Sequence, residues 1–319
     1  MINSIARAVH GRLATGPRSL AFAYVSFWSW VSRTFLPVSL QRRVRNSICS
    51  RDQTWPDMDF AARRVRLGAR TEVALIPHWK EFDQEALFLS VLEYEVPVFR
   101  WLENNVAETY DLIIEIGANA GLYTVFFDAL FKRSARAGTR KIVSFEPAPE
   151  AYRRLIANLD ANKASHVFAY QAAVGERAGL QAFYEPAGHL TNGSLLREFS
   201  EIFTREIGET VAIVVAAPEL ERWMAAAART LVKIDVEGFE PELLRALRPL
   251  LERHRPDLLI EVLPFTLDKL NSDPIVSGYE KFLILPGGLE RVDAFYASHQ
   301  HRDWLLRWSA SAGTTSAAS

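Results

Sequence analysis

The sequence predicts an α/β protein with a mostly parallel β-sheet. After residue 110, short apolar runs alternate with longer amphipathic segments, which is typical of parallel strands joined by helices. One run, residues 112–116, leads directly into a glycine-bracketed turn at residues 117–121, where the next helix must begin. Two later runs end at the acids Glu146 and Asp235. Because ligands of open α/β sheets bind at the carboxyl ends of the strands, these ends predict a common site.

The individual elements follow from apolar periodicity and from helix signals. Strands are predicted at residues 112–116, 141–146, 167–172, 231–235 and 258–262, and helices between them at residues 121–131, 149–162, 218–227 and 240–254. Pro149 and Pro241 occupy first helical turns with acids nearby, an arrangement that helix N-termini favour. A Pro-Gly-Gly turn at residues 286–288 predicts a β-hairpin within residues 282–292.

The flanking segments define the expected domain organisation. A strand at residues 72–77 and a helix at residues 84–104 precede the alternation, and residues 175–217 form an insertion within it. The C-terminal residues are Ser, Thr, Ala and Gly, a composition typical of disorder. We therefore expect a leader (1–55), a preface (56–110), a cofactor-binding domain (111–308) and a disordered tail (309–319).

Composition and charge limit the classes of function. With 49% hydrophobic and 24% charged residues, the chain can bury a full core. Residues 1–55 contain eight arginines and one acid, although the whole chain has a formal net charge of −1. The body is therefore acidic, and no nucleic-acid partner is expected. Cys49 is the only cysteine, which excludes an intrachain disulfide and a cysteine-based metal cluster and favours a reducing, cytoplasmic location.

The leader allows three interpretations. Its aromatic-rich apolar stretch, residues 20–31, is shorter than the about 20 residues that a membrane-spanning helix needs, and Arg33 and Pro37 interrupt its extension. The segment can be an interfacial helix whose arginines meet anionic lipid, an organellar targeting peptide, or a helix that packs on the body or on a partner subunit. Peripheral membrane contact and organellar targeting are thus alternatives to a purely cytoplasmic location.

The glycine turn and the acid after the second strand predict cofactor contacts. Gly117 and Gly121 permit positive φ and close approach of a ligand, and Asn119 between them tolerates left-handed geometry. Glu115 can bind an amino group of a cofactor or orient the loop backbone. Glu146 follows Gly117 by 29 residues, and a carboxylate at that place can accept two hydrogen bonds from the diol of a ribose. The alternative role of Glu146 is that of an acid at a helix N-terminus.

Charged residues at the ends of two later strands predict the reactive part of the site. Lys233, Asp235 and Glu237 emerge from a buried apolar strand into a glycine turn, where charges seldom serve stability alone. An ion pair between Lys233 and a neighbouring acid is the alternative. Glu261 is a further acid inside an apolar strand and can be structural or catalytic. His189 is the histidine that can reach the site from the insertion.

Five motifs together resemble the FkbM-type family of S-adenosylmethionine-dependent methyltransferases. They are residues 115–124 (EIGANAGLYT), 144–152 (SFEPAPEAY), 172–175 (AAVG), 192–195 (NGSL) and 232–240 (VKIDVEGFE). They occur in the order that the family has, and the resemblance covers about residues 93–264. Glu115 is a departure, because the family commonly has aspartate there, but the change conserves the charge. The leader lies outside the resemblance.

The resemblance implies a class I (Rossmann-like) methyltransferase with a seven-stranded, mostly parallel sheet, a C-terminal antiparallel hairpin and helices on both faces. It implies that the glycine turn contacts the methionine part of S-adenosylmethionine, that Glu146 holds the ribose, and that Ala172 and Ala173 border the adenine. The cofactor-binding residues implied in this way are Glu115, Gly117, Ala118, Asn119, Gly121, Tyr123, Thr124, Glu146, Pro147, Ala172 and Ala173. Members of the family typically methylate hydroxyl oxygens, often of sugars or polyketide-derived compounds, so a small-molecule or glycan acceptor is expected.

A hydroxyl acceptor is a poor nucleophile while it is protonated, so the site needs a base or a metal ion. Asp235 is the best candidate for base or metal ligand, with Glu237 and Glu261 in support and Lys233 stabilising the developing alkoxide. No histidine lies in a metal-ligand pattern in the sequence. The three acids suit Mg²⁺ but do not require it, and Asp235 and Glu237 would be its ligands.

Two other functions are alternatives to methyl transfer. A nicotinamide-dependent oxidoreductase also uses a glycine turn and a ribose acid, but residues 117–121 lack the third glycine of Gly-x-Gly-x-x-Gly. A non-catalytic adaptor or membrane-associated binding protein with the same fold is the remaining alternative. The presence of Glu146, Asp235 and Glu237 together argues against it.

Overall fold

The computed structural model describes residues 17–49, 58, 60–79, 82–187, 192–296 and 302–309. The chain forms two compact units, Met1–Tyr94 and Glu95–Ser319. The helix Val96–Thr109, which the sequence placed in the preface, therefore belongs to the second unit. Within the described residues, no helix has the length and apolar character needed to cross a membrane. The predicted disordered tail begins at Ser309, and the part of it after Ser309 lies outside the described residues.

The first unit contains two helices of the leader and a small hairpin. Its elements are α1 (Arg18–Phe35), α2 (Val38–Ile48), β1 (Arg63–Leu67), β2 (Thr71–Leu75) and α3 (Glu85–Phe88). Pro37 separates the two leader helices and is the N-cap of the second. Helix α1 packs on α3: Ser29 Oγ and Ser32 Oγ donate hydrogen bonds to the carbonyl oxygens of Leu87 and Phe88 at 2.6 and 2.9 Å.

The second unit alternates strands and helices. In chain order its strands are β3 (Leu112–Ile116), β4 (Lys141–Phe145), β5 (Val167–Tyr170), β6 (Ala173–Gly175), β7 (Gly179–Pro186), β8 (Ile207–Ala216), β9 (Thr230–Ile234), β10 (Asp257–Glu261), β11 (Tyr279–Leu285), β12 (Gly288–Val292) and β13 (Asp303–Trp308). Its helices are α4 (Val96–Thr109), α5 (Leu122–Lys132), α6 (Pro149–Asn162), α7 (Arg197–Ser200), α8 (Glu221–Met224), α9 (Glu240–His254), α10 (Leu267–Asn271) and α11 (Pro274–Ser277).

The predicted α/β class is confirmed, and the main sheet has eight strands in the order β12-β11-β13-β10-β9-β3-β4-β5. Strands β10, β9, β3, β4 and β5 are parallel, whereas β13 runs antiparallel to both of its neighbours, β10 and β11. The predicted hairpin is β11 and β12, and β12 adds an eighth strand at the edge. Strand β13 was not predicted. Its insertion between β10 and β11 depends on pairing with residues more than 40 positions away in β10 and more than 20 positions away in β11, which local periodicity does not show.

Other predicted elements differ from the structure in ways that tertiary contacts explain. The predicted helix at residues 84–104 is two helices, α3 and α4, because Val91 forms a bridge with Arg66 and Glu95 has a left-handed φ of 42°. The insertion folds as a second sheet of three strands in the order β6-β8-β7. The predicted helix at residues 218–227 is a 3₁₀ turn, Ala217–Leu220, followed by the short helix α8.

Candidate functional site

Register aligns the three strand ends that carry the predicted site. Ile116, the last residue of β3, pairs with Phe145 of β4 on one side and with Ile234 of β9 on the other. The residues that follow are Gly117, Glu146 and Asp235, so the glycine turn lies between the two acids. The central strand β3 thereby brings together three motifs that are separated by up to 118 residues in sequence.

The glycine turn is held by the backbone of β4. The amides of Gly117 and Ala118 donate to the carbonyl oxygen of Phe145 at 3.0 and 2.9 Å. Gly117, Asn119 and Gly121 have φ values of 88°, 51° and 83°, which are left-handed conformations that glycine and asparagine tolerate best. The backbone of the turn is partly exposed at Gly117 and Asn119, whereas Ala118 is buried.

Glu146 stabilises the glycine turn through a hydrogen bond. Its Oε2 accepts a hydrogen bond from the amide of Asn119 at 2.7 Å, and its Oε1 accepts one from the amide of Ala148 at 2.8 Å. Burial raises the pKa of Glu146 to about 7, and these two backbone donors only partly oppose that effect. Each carboxylate oxygen accepts two hydrogen bonds when ionised, so capacity for a ligand remains on both. Pro147, next in sequence, is partly exposed.

Glu115 and Thr124 lie beneath the turn rather than at its surface. Glu115 is 1% exposed, and its Oε2 accepts hydrogen bonds from Thr124 Oγ1 at 2.5 Å and from Ser144 Oγ at 3.1 Å. Burial raises the pKa of Glu115 to about 7, against the opposing charge of Lys233. Because both side chains are buried, Glu115 and Thr124 form a polar layer that supports the turn, and their predicted contact with a cofactor stays a prediction.

Lys233 is an enclosed cation. It is 2% exposed, its Nζ donates to Asp235 Oδ2 at 2.8 Å, and the Tyr123 ring lies 4.4 Å from Nζ. The Tyr123 hydroxyl in turn donates to Glu95. Burial alone would lower the pKa of Lys233, but the carboxylates of Asp235 and Glu115 outweigh it and raise the pKa above its usual range. The lysine therefore stays charged and fixes one oxygen of Asp235.

Three carboxylates converge beside this pair. One oxygen from each of Asp235, Glu237 and Glu261 lies within 4.8 Å of the other two. Burial and the charge of Asp235 raise the pKa of Glu237 and of Glu261 well above the usual range. The side chain of Asp235 is 32% exposed and that of Glu261 is 14% exposed, so solvent and ligands reach Asp235 better than Glu261. Burial is the larger cause of both shifts, and the repulsion from Asp235 adds to it.

Two further acids of the site were not assigned from the sequence. Glu240 is completely buried and accepts hydrogen bonds from the amides of Val236 and Gly238 at 3.1 and 3.2 Å, which fixes the loop that carries Glu237. Asp303, the residue of β13 that pairs with Glu261, is also buried, and burial raises its pKa. The position of Glu240 at the end of the last motif was a usable signal, whereas Asp303 belongs to a strand that was not predicted.

The remaining predicted residues flank the second sheet. Ala172 and Ala173 are both buried, but the third strand of the main sheet ends at Tyr170, so Ala172 lies in a loop and Ala173 begins β6. His189, predicted to reach the site from the insertion, lies outside the described residues.

Comparison with known families places residues 115–309 in the methyltransferase FkbM domain. No curated protein matches the chain significantly. Similar solved structures include the methyltransferase FkbM from Methylobacillus flagellatus KT, which is 16% identical, with 62% of this chain and 43% of that chain covered and a TM-score of 0.40. The match thus spans less than half the length of the Methylobacillus protein. Another is precorrin-6y C5,15-methyltransferase from Geobacter metallireducens GS-15, 13% identical over 67% of this chain and 88% of that chain, with a TM-score of 0.36.

Proposed function

Since the chain belongs to the FkbM methyltransferase family, we propose that it transfers a methyl group from S-adenosylmethionine to a hydroxyl of a small molecule or glycan. One observation carries this proposal: Gly117, Glu146 and Asp235 follow paired residues of three adjacent strands. A turn for the cofactor, an acid for its ribose and a base for the acceptor are thereby neighbours.

The acids of the site suit the proposed cofactor. S-adenosylmethionine carries a sulfonium and an ammonium group, and Glu237 and Glu261 offer carboxyl oxygens within 4.8 Å of Asp235. In our proposal residues 117–121 hold the methionine part, Glu146 and Pro147 hold the ribose, and Ala172 and Ala173 border the adenine. When bound, the cofactor supplies an electrophilic methyl group.

The base in this proposal is Asp235. Among the described residues, Lys233 donates a hydrogen bond to Oδ2 of Asp235. Oδ1 is thereby left to accept the proton of an acceptor hydroxyl. Lys233 is too enclosed to contact an acceptor, so we assign it a positioning role instead of direct stabilisation of the alkoxide. Glu237 and Glu261 would then orient the acceptor hydroxyl beside Asp235.

A divalent cation such as Mg²⁺ is the second route to an activated hydroxyl, because carboxylate oxygens are the ligands that it prefers. The observation that favours it is the convergence of the three acids within 4.8 Å. We favour the base because the ammonium of Lys233 already binds Asp235 and would repel a second cation there.

Substitution of Asp235 by asparagine tests the proposed base. Extracts are first incubated with full-length protein and methyl-labelled S-adenosylmethionine. Mass spectrometry then identifies a compound that gains one methyl group, and this compound serves as the substrate. Asp235→Asn should lower its turnover by about 10²–10⁴-fold, because proton transfer from the hydroxyl is lost. Calorimetry should show that its affinity for the cofactor stays within about twofold.

Asp160→Asn is the matched control, because it makes the same change at an exposed position of α6. Full turnover in Asp235→Asn would exclude this residue as the base. A protein that binds S-adenosylmethionine but yields no methylated product would favour the adaptor alternative.

A further inference from the structure

Helix α1 turns its small residues inward. Its buried positions are Ala21, Val25, Ser29 and Ser32, and the two serines are tied to backbone carbonyl groups of α3. An amphipathic helix of a water-soluble protein ordinarily buries its largest apolar side chains. Tyr24 and Trp28 pack partly against the same core, so α1 uses only part of its apolar surface within its unit.

The outward face carries an apolar stripe of Leu20, Phe27, Trp30 and Phe35. These side chains are 55%, 55%, 56% and 64% exposed. Phe27 and Trp30 have ring centroids 6.4 Å apart, and Trp30 and Phe35 form an edge-to-face pair at 5.2 Å, so the aromatic part is continuous. A continuous exposed patch of large apolar side chains marks an interaction surface.

The positive charge of helices α1 and α2 indicates which kind of partner binds the apolar stripe. Helices α1 and α2 contain five arginines and no aspartate or glutamate, although Arg42 and Arg45 pair with Glu93 and Glu85, and residues 1–94 contain 13 basic and eight acidic side chains. Arg43 is exposed on α2. A second copy of the chain would bring the same positive charge to a symmetric contact. A bilayer surface with anionic headgroups attracts the arginines and accepts tryptophan and phenylalanine at its interface.

We propose that the apolar stripe of α1 binds the surface of an anionic membrane, with the helix lying in the headgroup region. No covering partner within the unit is needed for this role, and α1 does not have the length and apolar character together that a membrane-spanning helix needs. An interfacial helix combines a large apolar face with basic flanks, as α1 and α2 do. Membrane binding of this kind would bring the catalytic unit to acceptors that are themselves attached to or dissolved in lipid.

Cosedimentation of the full-length protein with vesicles tests the proposal. Vesicles of phosphatidylcholine with roughly 30% phosphatidylserine should pellet the protein, and vesicles of phosphatidylcholine alone should pellet it less. The double variant Phe27→Gln/Trp30→Gln should bind the anionic vesicles about 100-fold more weakly, because two large apolar side chains no longer leave water. Arg43→Gln should weaken binding to the anionic vesicles by about fivefold and leave binding to neutral ones unchanged.

The control variant is Val211→Gln/Ile213→Gln, which removes two apolar side chains that are 68% and 57% exposed on β8. It should pellet like the wild type. Unchanged affinity for S-adenosylmethionine shows that each variant is folded. Wild-type protein that stays in the supernatant, or Phe27→Gln/Trp30→Gln that pellets like the wild type, overturns the proposal. If the protein forms a dimer without lipid, and Phe27→Gln/Trp30→Gln alone among the variants dissociates it, the apolar stripe binds a second copy of the chain instead.

Discussion

The carbonyl oxygen of Asp235 lies 1.7 Å from the point that a Cβ atom on Gly117 would occupy. The two residues follow the paired strands β3 and β9, and the amide of Asp235 donates to the carbonyl oxygen of Ile116 at 3.1 Å. Gly117 is therefore required by the backbone that carries the proposed base, in addition to any contact with a cofactor. The glycine turn and the loop after β9 are therefore packed backbone against backbone.

We expect Gly117→Ala to destabilise the protein and to weaken cofactor binding. Alanine in a left-handed conformation costs about 1–2 kcal/mol, and the displaced carbonyl of Asp235 adds to that cost. Urea denaturation should thus show a free energy of unfolding that is lower by more than about 2 kcal/mol. Gly287→Ala is the control, because a Cβ atom there meets nothing within 4 Å. Equal stability of the two variants would contradict the close packing of Gly117.

Cofactor affinity should depend on pH through Glu146. Burial raises the pKa of this carboxyl to about 7, and only the ionised form can accept hydrogen bonds from both ribose hydroxyls. Affinity for S-adenosylmethionine should therefore be lost as pH falls through about 7, by about tenfold from pH 8 to pH 6. Calorimetry of Glu146→Gln should show weaker binding and a flatter pH profile.

Glu185 supplies the control for this measurement, because its charge acts on Glu146 without a hydrogen bond to the turn. Glu185→Gln should keep a pH-dependent affinity for the cofactor, with the midpoint moved to lower pH because the repulsion that helps to raise the pKa of Glu146 is removed. If Glu146→Gln binds the cofactor with the pH profile of the wild type, Glu146 does not hold the ribose.

Lys233→Met should be strongly destabilising. The substitution leaves the carboxylates of Asp235 and Glu115 without their buried cation, and breaking a buried ion pair in this way costs about 3–5 kcal/mol. Thermal and urea denaturation should show that Lys233→Met/Asp235→Asn loses less stability than the two single variants combined. Lys269→Met is the control, since its pair with Glu242 is half exposed and is worth about 1 kcal/mol or less. Similar losses in the two methionine variants would contradict the enclosed pair.

Removal of divalent cations separates the two routes to an activated hydroxyl. If Asp235 acts as a base, dialysis of the full-length protein against a chelator should leave turnover of the identified acceptor unchanged. Turnover that disappears on dialysis and returns with Mg²⁺ would instead assign Asp235, Glu237 and Glu261 as metal ligands. Titration with Ca²⁺ alone, followed by calorimetry, provides a readout of binding that does not depend on activity.

Local sequence signals predicted the elements of the main sheet well. The apolar run of residues 112–116 and the helices Pro149–Asn162 and Glu240–His254 have the predicted bounds, because apolar periodicity and proline at a helix start act within a few residues. The three-stranded sheet of the insertion was missed. Its strand β8 exposes Val211 and Ile213, so burial does not follow the pattern that the sequence suggests.

At the site, local patterns in the sequence already indicate which acids and glycines stand at strand ends and in which order. Their contacts become visible in the folded chain: Glu115 accepts a hydrogen bond from Thr124, Glu146 accepts one from the amide of Asn119, and Lys233 donates one to Asp235. Strand ends follow from short-range patterns, whereas burial, hydrogen bonding and the resulting pKa shifts depend on distances between residues that are far apart in the chain.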